Sequence, residues 1–261
     1  MRRALALALL LALVGGCVTG GSTIDTTRQP SLWPREALLR PDGPGPFPAV
    51  VVLSGCMGVR SKDARWAERL REAGYVTLVP DSFTGRGLTT LEQRRDVCRG
   101  LTLWGGTRAD DVRASLAHLR ALPEVDGARL AVVGFSHGAW AALDLLAAAS
   151  DDDLRGLRAV VGFYPYCGIA SRARWFGWRA NVPTLLLLAA EDRMVSAPQC
   201  QSLAERAAAD GRPVAVTVYP EVGHAFDWRS SPATDDAQRR VRSFLAEHLA
   251  PAAPPRAEVR P

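Results

Sequence analysis

The sequence predicts an α/β fold, a mostly parallel sheet covered by helices on both faces. Three observations carry this. Apolar runs such as Ala49-Val50-Val51-Val52-Leu53 are continuous rather than alternating, as in a strand buried on both faces. Other stretches repeat their apolar residues at helical spacing, for example Val112, Leu116 and Leu119. The two kinds of segment alternate along the chain, which places helices on either side of one sheet. A length of 261 residues suits one domain, and 48% hydrophobic residues is enough for a sizeable core. No internal repeat and no second domain is visible.

The first residues read as a targeting segment. Met1-Arg2-Arg3 is a positive n-region, and Ala4 to Val14 is an apolar run too short to span a bilayer as a helix. Val14-Gly15-Gly16-Cys17 resembles the lipobox of bacterial lipoproteins, in which the cysteine becomes the lipidated first residue. Val18 rather than aspartate follows, which by that resemblance favours the outer membrane facing the periplasm. The alternative is cleavage at an ordinary secretory site, leaving a soluble periplasmic protein. Residues 18–35 are rich in Gly, Ser, Thr and Pro and read as a tether. The folded domain is expected over 36–250, followed by a disordered Pro- and Arg-rich tail, 251–261.

Within the domain, strands are expected at Ala49–Leu53, Tyr75–Pro80, Leu130–Val133, Ala159–Tyr164, Thr184–Leu188 and Val214–Val218. Helices are expected at Lys62–Ala73, Ala109–Leu122, Ala139–Ala149, Ala197–Ala209 and Asp235–Leu249. The net charge of +5 is nearly all arginine and is interspersed with acidic residues. Without a basic stripe there is no footprint for nucleic acid.

Chemistry concentrates in Gly134-Phe135-Ser136-His137-Gly138, which lies between a strand and a helix. Gly-x-Ser-x-Gly in that context is a nucleophile elbow: the turn is tight, so bulky side chains two positions either side of the serine would clash. The plain alternative is a glycine-rich turn with an ordinary serine. A serine hydroxyl needs a base to take its proton, and the elbow predicts the order Ser, Asp or Glu, His. Of the four histidines, His118 and His248 fall within helices, and His137 would point away along the new helix. His224, in the loop after the last strand, is the expected base. Asp192, after the strand before it, is the expected acid, with Glu191 and Asp227 as fallbacks. Asp227 is too close in sequence to His224 to approach it from a separate loop. The oxyanion donors are expected to be the His137 N–H and the N–H of Cys56 or Met57, in the loop Ser54-Gly55-Cys56-Met57-Gly58.

These blocks, with Pro48 to Gly58, Gly74-Tyr75-Val76, Asp81-Ser82-Phe83, Arg86-Gly87 and Gly223-His224-Ala225-Phe226-Asp227, resemble the dienelactone hydrolase family of α/β-hydrolases from about Phe47 to Leu249. The resemblance implies an α/β-hydrolase fold and hydrolysis of a small-molecule ester or lactone, with no metal or cofactor. Two positions depart from it. Serine stands at 136 where the founding enzymes carry cysteine, and Ser54 stands where relatives often carry histidine. Both fit a general carboxylesterase better than a dienelactone hydrolase.

Arg86 is a candidate to hold a substrate carboxylate bidentately, or equally to form a structural salt bridge, with Asp81 as the nearby partner in sequence. Ser171 to Trp178 reads either as a short lid or pocket wall, or as a packed loop with Arg–aromatic stacking. Apart from Cys17, the four cysteines Cys56, Cys98, Cys167 and Cys200 allow three pairings, and export makes disulfides plausible. The fold suggests Cys56–Cys98 and Cys167–Cys200; the alternative is four buried thiols. None has C-x-x-C spacing, which argues against zinc. Two other readings remain: the same triad used for acyl transfer or peptide cleavage, and a non-catalytic envelope lipoprotein on a hydrolase scaffold.

Overall fold

The computed structural model describes residues 37–251. The signal segment, Cys17, the whole tether and the tail beyond residue 251 lie outside the described residues. Strands β1 (Leu38–Leu39), β2 (Phe47–Leu53), β3 (Val76–Leu78), β4 (Val125–Phe135), β5 (Leu157–Phe163), β6 (Thr184–Ala189) and β7 (Val214–Tyr219) form one sheet in the order β1-β3-β2-β4-β5-β6-β7. Every neighbouring pair is parallel except β1 with β3. Because β1 is antiparallel, with the Ala37 carbonyl accepting from the Val79 N–H at 2.8 Å, the described chain enters at the carboxyl edge of the sheet.

The continuous apolar runs are explained by the layers. Alternate strand residues face opposite sides. Val50, Val52, Ala131 and Val133 pack under α1 (Ser61–Glu72) and α7 (Pro232–His248), against Trp66, Leu70, Val241 and Leu245. Val51, Leu53, Leu130 and Val132 pack under α3 (Gly105–Ala121), α4 (His137–Ala148) and α6 (Ala197–Ala209). Burying both faces at ~25 cal/mol per Å² of apolar surface is the main force holding this sheet.

Besides short 3-10 turns at Thr84–Arg86 and Phe226–Trp228, three elements go beyond the sequence reading: β1, α2 (Leu91–Cys98) and α5 (Arg172–Phe176). α2 buries only Val97, so it shows no apolar stripe to read. α3 begins four residues before the expected Ala109, through a Gly-Gly pair that looks like a loop in sequence. The indole of Trp140 approaches to 2.5 Å of where a Gly105 Cβ would stand, so packing forces glycine into this helical turn.

Both expected disulfides are present, Cys56–Cys98 and Cys167–Cys200, spanning 42 and 33 residues. The first ties the loop after β2 to the end of α2, over a small cluster of Phe83, Val97 and Leu103. The second ties the segment after β5 to α6.

Candidate active site

β4 delivers Ser136 at the carboxyl edge of the sheet. The residue adopts φ 52° and ψ −112°, a strained geometry at the strand-to-helix turn. The close approach that demands glycine is visible: a Cβ at Gly138 would stand 2.5 Å from the Leu53 carbonyl, and one at Gly134 would stand 2.7 Å from the Ala139 nitrogen. The Ser136 N–H donates to the Phe163 carbonyl at 2.9 Å, pinning the turn to β5.

His224 lies in the loop after β7. Its Nε2 accepts from the Ser136 hydroxyl at 2.9 Å, and its Nδ1–H donates to Asp192 Oδ2 at 2.7 Å. The tautomer follows because an ionised carboxylate can only accept. Asp192 lies in the turn after β6 and also accepts from the Met194 and Val195 N–H groups at 2.8 and 3.0 Å. Burial pushes its pKa up, but the bonds from His224 and these two amides outweigh that and hold it below the ordinary carboxylate value. The acid and base loops are joined: the Glu191 N–H donates to the Val222 carbonyl at 3.1 Å, and the Ala190 N–H to the Tyr219 carbonyl at 2.9 Å. The three residues singled out in sequence thus converge, and the fallback acid Glu191 is exposed.

Asp227, the other fallback, is occupied elsewhere. It is buried and accepts from Trp66 Nε1 at 2.9 Å and from the Tyr164 hydroxyl. The Tyr164 ring stands 4.7 Å from the His224 ring. Burial, then the Asp227 charge, pushes the Tyr164 pKa well above its ordinary value, so it remains a donor.

The His137 amide opens α4, where the first N–H groups have no carbonyl of their own helix. Cys56 and Met57 line the cavity that contains Ser136. The His137 side chain is buried, with Nε2–H donating to the Leu103 carbonyl at 2.6 Å and Nδ1 accepting from Arg108 Nη1 at 3.1 Å. Arg108 was not legible as part of the site. It is fully buried, and its Nη1 also donates to the Ser54 carbonyl at 2.9 Å. It therefore ties the start of the Gly55–Met57 loop to the residue after the nucleophile. A lone arginine within a helix carries no motif, so only packing reveals it.

One expectation needs correction, and one reading left open by the sequence is narrowed. Arg86 does not face the cleft as a free carboxylate receptor. Its guanidinium is committed bidentately to Asp111 at 2.7 and 2.9 Å and to the Ser82 carbonyl at 2.7 Å. The structural reading of Arg86 applies, but the partner is Asp111; Asp81 instead accepts from the Phe83 and Thr84 N–H groups of its own turn. The Ser171–Trp178 segment is anchored to the domain at both ends, while Trp175 and Phe176 in its middle are exposed. Ser171 Oγ and the Ala173 N–H donate to Asp144 of α4, and Trp178 is buried.

Two cavities meet at Ser136. One, of about 370 Å³, is lined by Ser136, His224, Phe135, Tyr164 and Trp228. The other, of about 290 Å³, is lined by Ser136, His137, Trp140, Tyr166 and Ala170. Cys56, Cys98 and Met194 border both. A larger cavity of about 560 Å³ lies between α1 and α7 and contains none of the three converging residues. Among the described residues no cluster of three or more His, Cys, Asp or Glu is arranged to hold a metal ion.

A hydrogen-bonded Ser–His–Asp chain, with its serine on a strand-to-helix turn above a mostly parallel sheet, is the arrangement of an α/β-hydrolase. Residues 35–249 match the dienelactone hydrolase family, and the chain belongs to that family. It is similar to a protein of Methylorubrum extorquens that carries the name carboxymethylenebutenolidase, with 27% identity over 78% of this chain and 73% of the relative. A protein of the same name from Yersinia pestis is 25% identical over 80% of this chain and 82% of its own. Among solved structures, a dienelactone hydrolase of Klebsiella pneumoniae superposes with a TM-score of 0.66 at 20% identity, covering 80% of this chain and 91% of the other. Thermogutta terrifontis esterase 2, phosphorylated by paraoxon, superposes with a TM-score of 0.65 at 16% identity, covering 82% and 89%. The protein is a serine hydrolase acting on carboxylic esters or lactones.

Proposed function

We propose that Ser136 is the nucleophile, His224 the general base and acid, and Asp192 the group that orients His224. The observation that carries this is the unbroken pair of hydrogen bonds through one imidazole, 2.9 Å to the hydroxyl and 2.7 Å to the carboxylate. As Ser136 Oγ attacks the ester carbonyl, its proton passes to His224 Nε2, and the imidazolium is stabilised by Asp192. The tetrahedral oxyanion is received by the His137 N–H and by that of Cys56 or Met57. Collapse breaks the ester C–O bond, and the leaving oxygen takes the proton from His224. Water then repeats the sequence on the acyl-enzyme and frees the acid.

The two lobes favour an ester with a substantial group on each side of the scissile bond over a compact lactone. The leaving oxygen must reach His224, so the alcohol portion belongs in the lobe that His224 lines. The acyl portion then belongs in the lobe of Trp140, Tyr166 and Ala170, which His224 does not line. A fluorophosphonate probe tests the mechanism: the wild type is labelled and Ser136→Ala is not, whereas equal labelling of both removes the proposal. Ala170→Trp tests the lobes. It raises KM for methyl esters of medium-chain acids far more than for acetates of medium-chain alcohols, and an equal change in both series rejects the assignment.

The lipobox resemblance supports a protein anchored in the bacterial envelope by acyl chains on Cys17, and the two disulfides suit an oxidising compartment. Replacing Cys17 by serine then moves the protein from the membrane fraction to the soluble periplasm.

A further inference from the structure

All but one of the 32 basic residues of this chain are arginine; the sole lysine is Lys62. It is only 4% exposed. It also sits in the first turn of α1, where the positive end of the helix disfavours a cation. Burial and placement both work against a charge there, so its surroundings must compensate for it.

Those surroundings join two parts of the active site. Lys62 Nζ stands 3.2 Å from the centroid of the Phe135 ring, the side chain just before the nucleophile. It is 3.2 Å from Asp63 Oδ1 and 3.5 Å from Asp227 Oδ2. Asp227 is three residues after His224 and also holds the Tyr164 hydroxyl and the Trp66 indole. Trp66 in turn stands 5.6 Å from Phe135, centroid to centroid. The ammonium therefore lies between the end of β4, which carries Ser136, and the loop that carries His224.

We propose that Lys62 is a positioning residue, a cationic clamp between Phe135 and Asp227 that keeps Ser136 and His224 within hydrogen-bond reach. An arginine does not substitute. Its planar guanidinium is larger and directs its donors in a fixed fork, whereas this cage of one ring face and two carboxylates fits a compact point charge. This accounts for a single lysine in a chain otherwise given to arginine. The inference rests on the Ser136–His224–Asp192 assignment.

Lys62→Met, Lys62→Arg and the charge-compensated Lys62→Met/Asp227→Asn test it, with folding followed by denaturant unfolding and activity measured well below the transition. Fluorophosphonate labelling of the wild type that is lost in Ser136→Ala establishes the nucleophile independently. Without that difference the triad and this inference fall together. With the triad established, the clamp predicts that kcat falls about 10²-fold in Lys62→Met, as expected for misplacement of about 1 Å, with a smaller change in KM. Lys62→Arg does not restore kcat. The compensated double variant regains stability but stays as slow as the single one, and it takes the place of Lys62→Met if that variant does not fold. Wild-type kcat in the double variant overturns the clamp and leaves Lys62 a matter of charge balance alone.

Discussion

Arg108 Nη1 donates to His137 Nδ1 across 3.1 Å, at a place where the arginine is fully buried and the histidine nearly so. The guanidinium forces the imidazole to be an acceptor on that side, while the Leu103 carbonyl fixes its proton on the other. Burial, then the Arg108 charge, lowers the His137 pKa from 6.5 to about 3. The same side chains hold the backbone around the proposed oxyanion site, so the electrostatics of this pair bear on stability and geometry at once.

The folded His137 stays neutral down to about pH 3, whereas in the unfolded chain it takes a proton near pH 6.5. Its contribution is whole above pH 6.5 and drains away as pH falls towards 3. The expected slope is about 1.4 kcal/mol per pH unit across that window. Urea unfolding at a series of pH values checks this. The difference between wild type and His137→Asn should follow that slope, and a difference independent of pH would contradict the locked tautomer.

Asp192→Asn offers His224 an amide where a carboxylate now accepts, which favours the wrong tautomer. Turnover should drop by about 10³–10⁴-fold. The amides of Met194 and Val195 lose a charged acceptor, so the variant should also unfold at lower denaturant. A kcat within tenfold of wild type would show that another carboxylate serves His224.

The two disulfides should differ in what their removal does. Each closes a loop worth about 4 kcal/mol in the chain-entropy account. Cys167→Ser/Cys200→Ser should therefore lose stability but retain kcat under conditions where it stays folded. Cys56→Ser/Cys98→Ser should lose stability and kcat together, because Cys56 lies in the loop beside Ser136. Equal kcat in the two pairs would separate the first disulfide from the site.

Arg86→Met removes the cation from Asp111, whose side chain is 1% exposed. Arg86 is itself partly exposed, so a cost of about 2–3 kcal/mol is expected, less than for breaking a fully buried pair. If Arg86 is structural, KM for esters with and without a carboxylate changes by the same factor. A selective loss of the anionic substrates would return it to substrate binding.

Much of this was readable in one dimension because each signal was local or ordered. Gly134, Ser136 and Gly138 report a turn whose crowding can be deduced from its type, and strands buried on both faces leave unbroken runs such as Val50–Leu53. The order of Ser136, Asp192 and His224 follows from how such sheets are wound. The rest depends on contacts made across the fold. Arg86 faced Asp81 on paper, five residues away, but meets Asp111 on a helix whose start was itself hidden by Gly105-Gly106. Arg108, Lys62 and Tyr164 have no spacing signature. They matter because of what stands beside them, and sequence proximity does not report that.

The reversed direction of β1 sets how this enzyme presents itself. Ala37, the first described residue, lies on the side on which the cleft opens, three strand spacings, or about 14 Å, from β4. The other end of the domain is remote: the Leu249 carbonyl accepts from Arg129 at the far, amino end of β4. The two ends of the described domain therefore lie on opposite sides of the sheet, so a second domain fused directly before Leu38 would crowd the catalytic opening, and one fused directly after Leu249 would leave it clear.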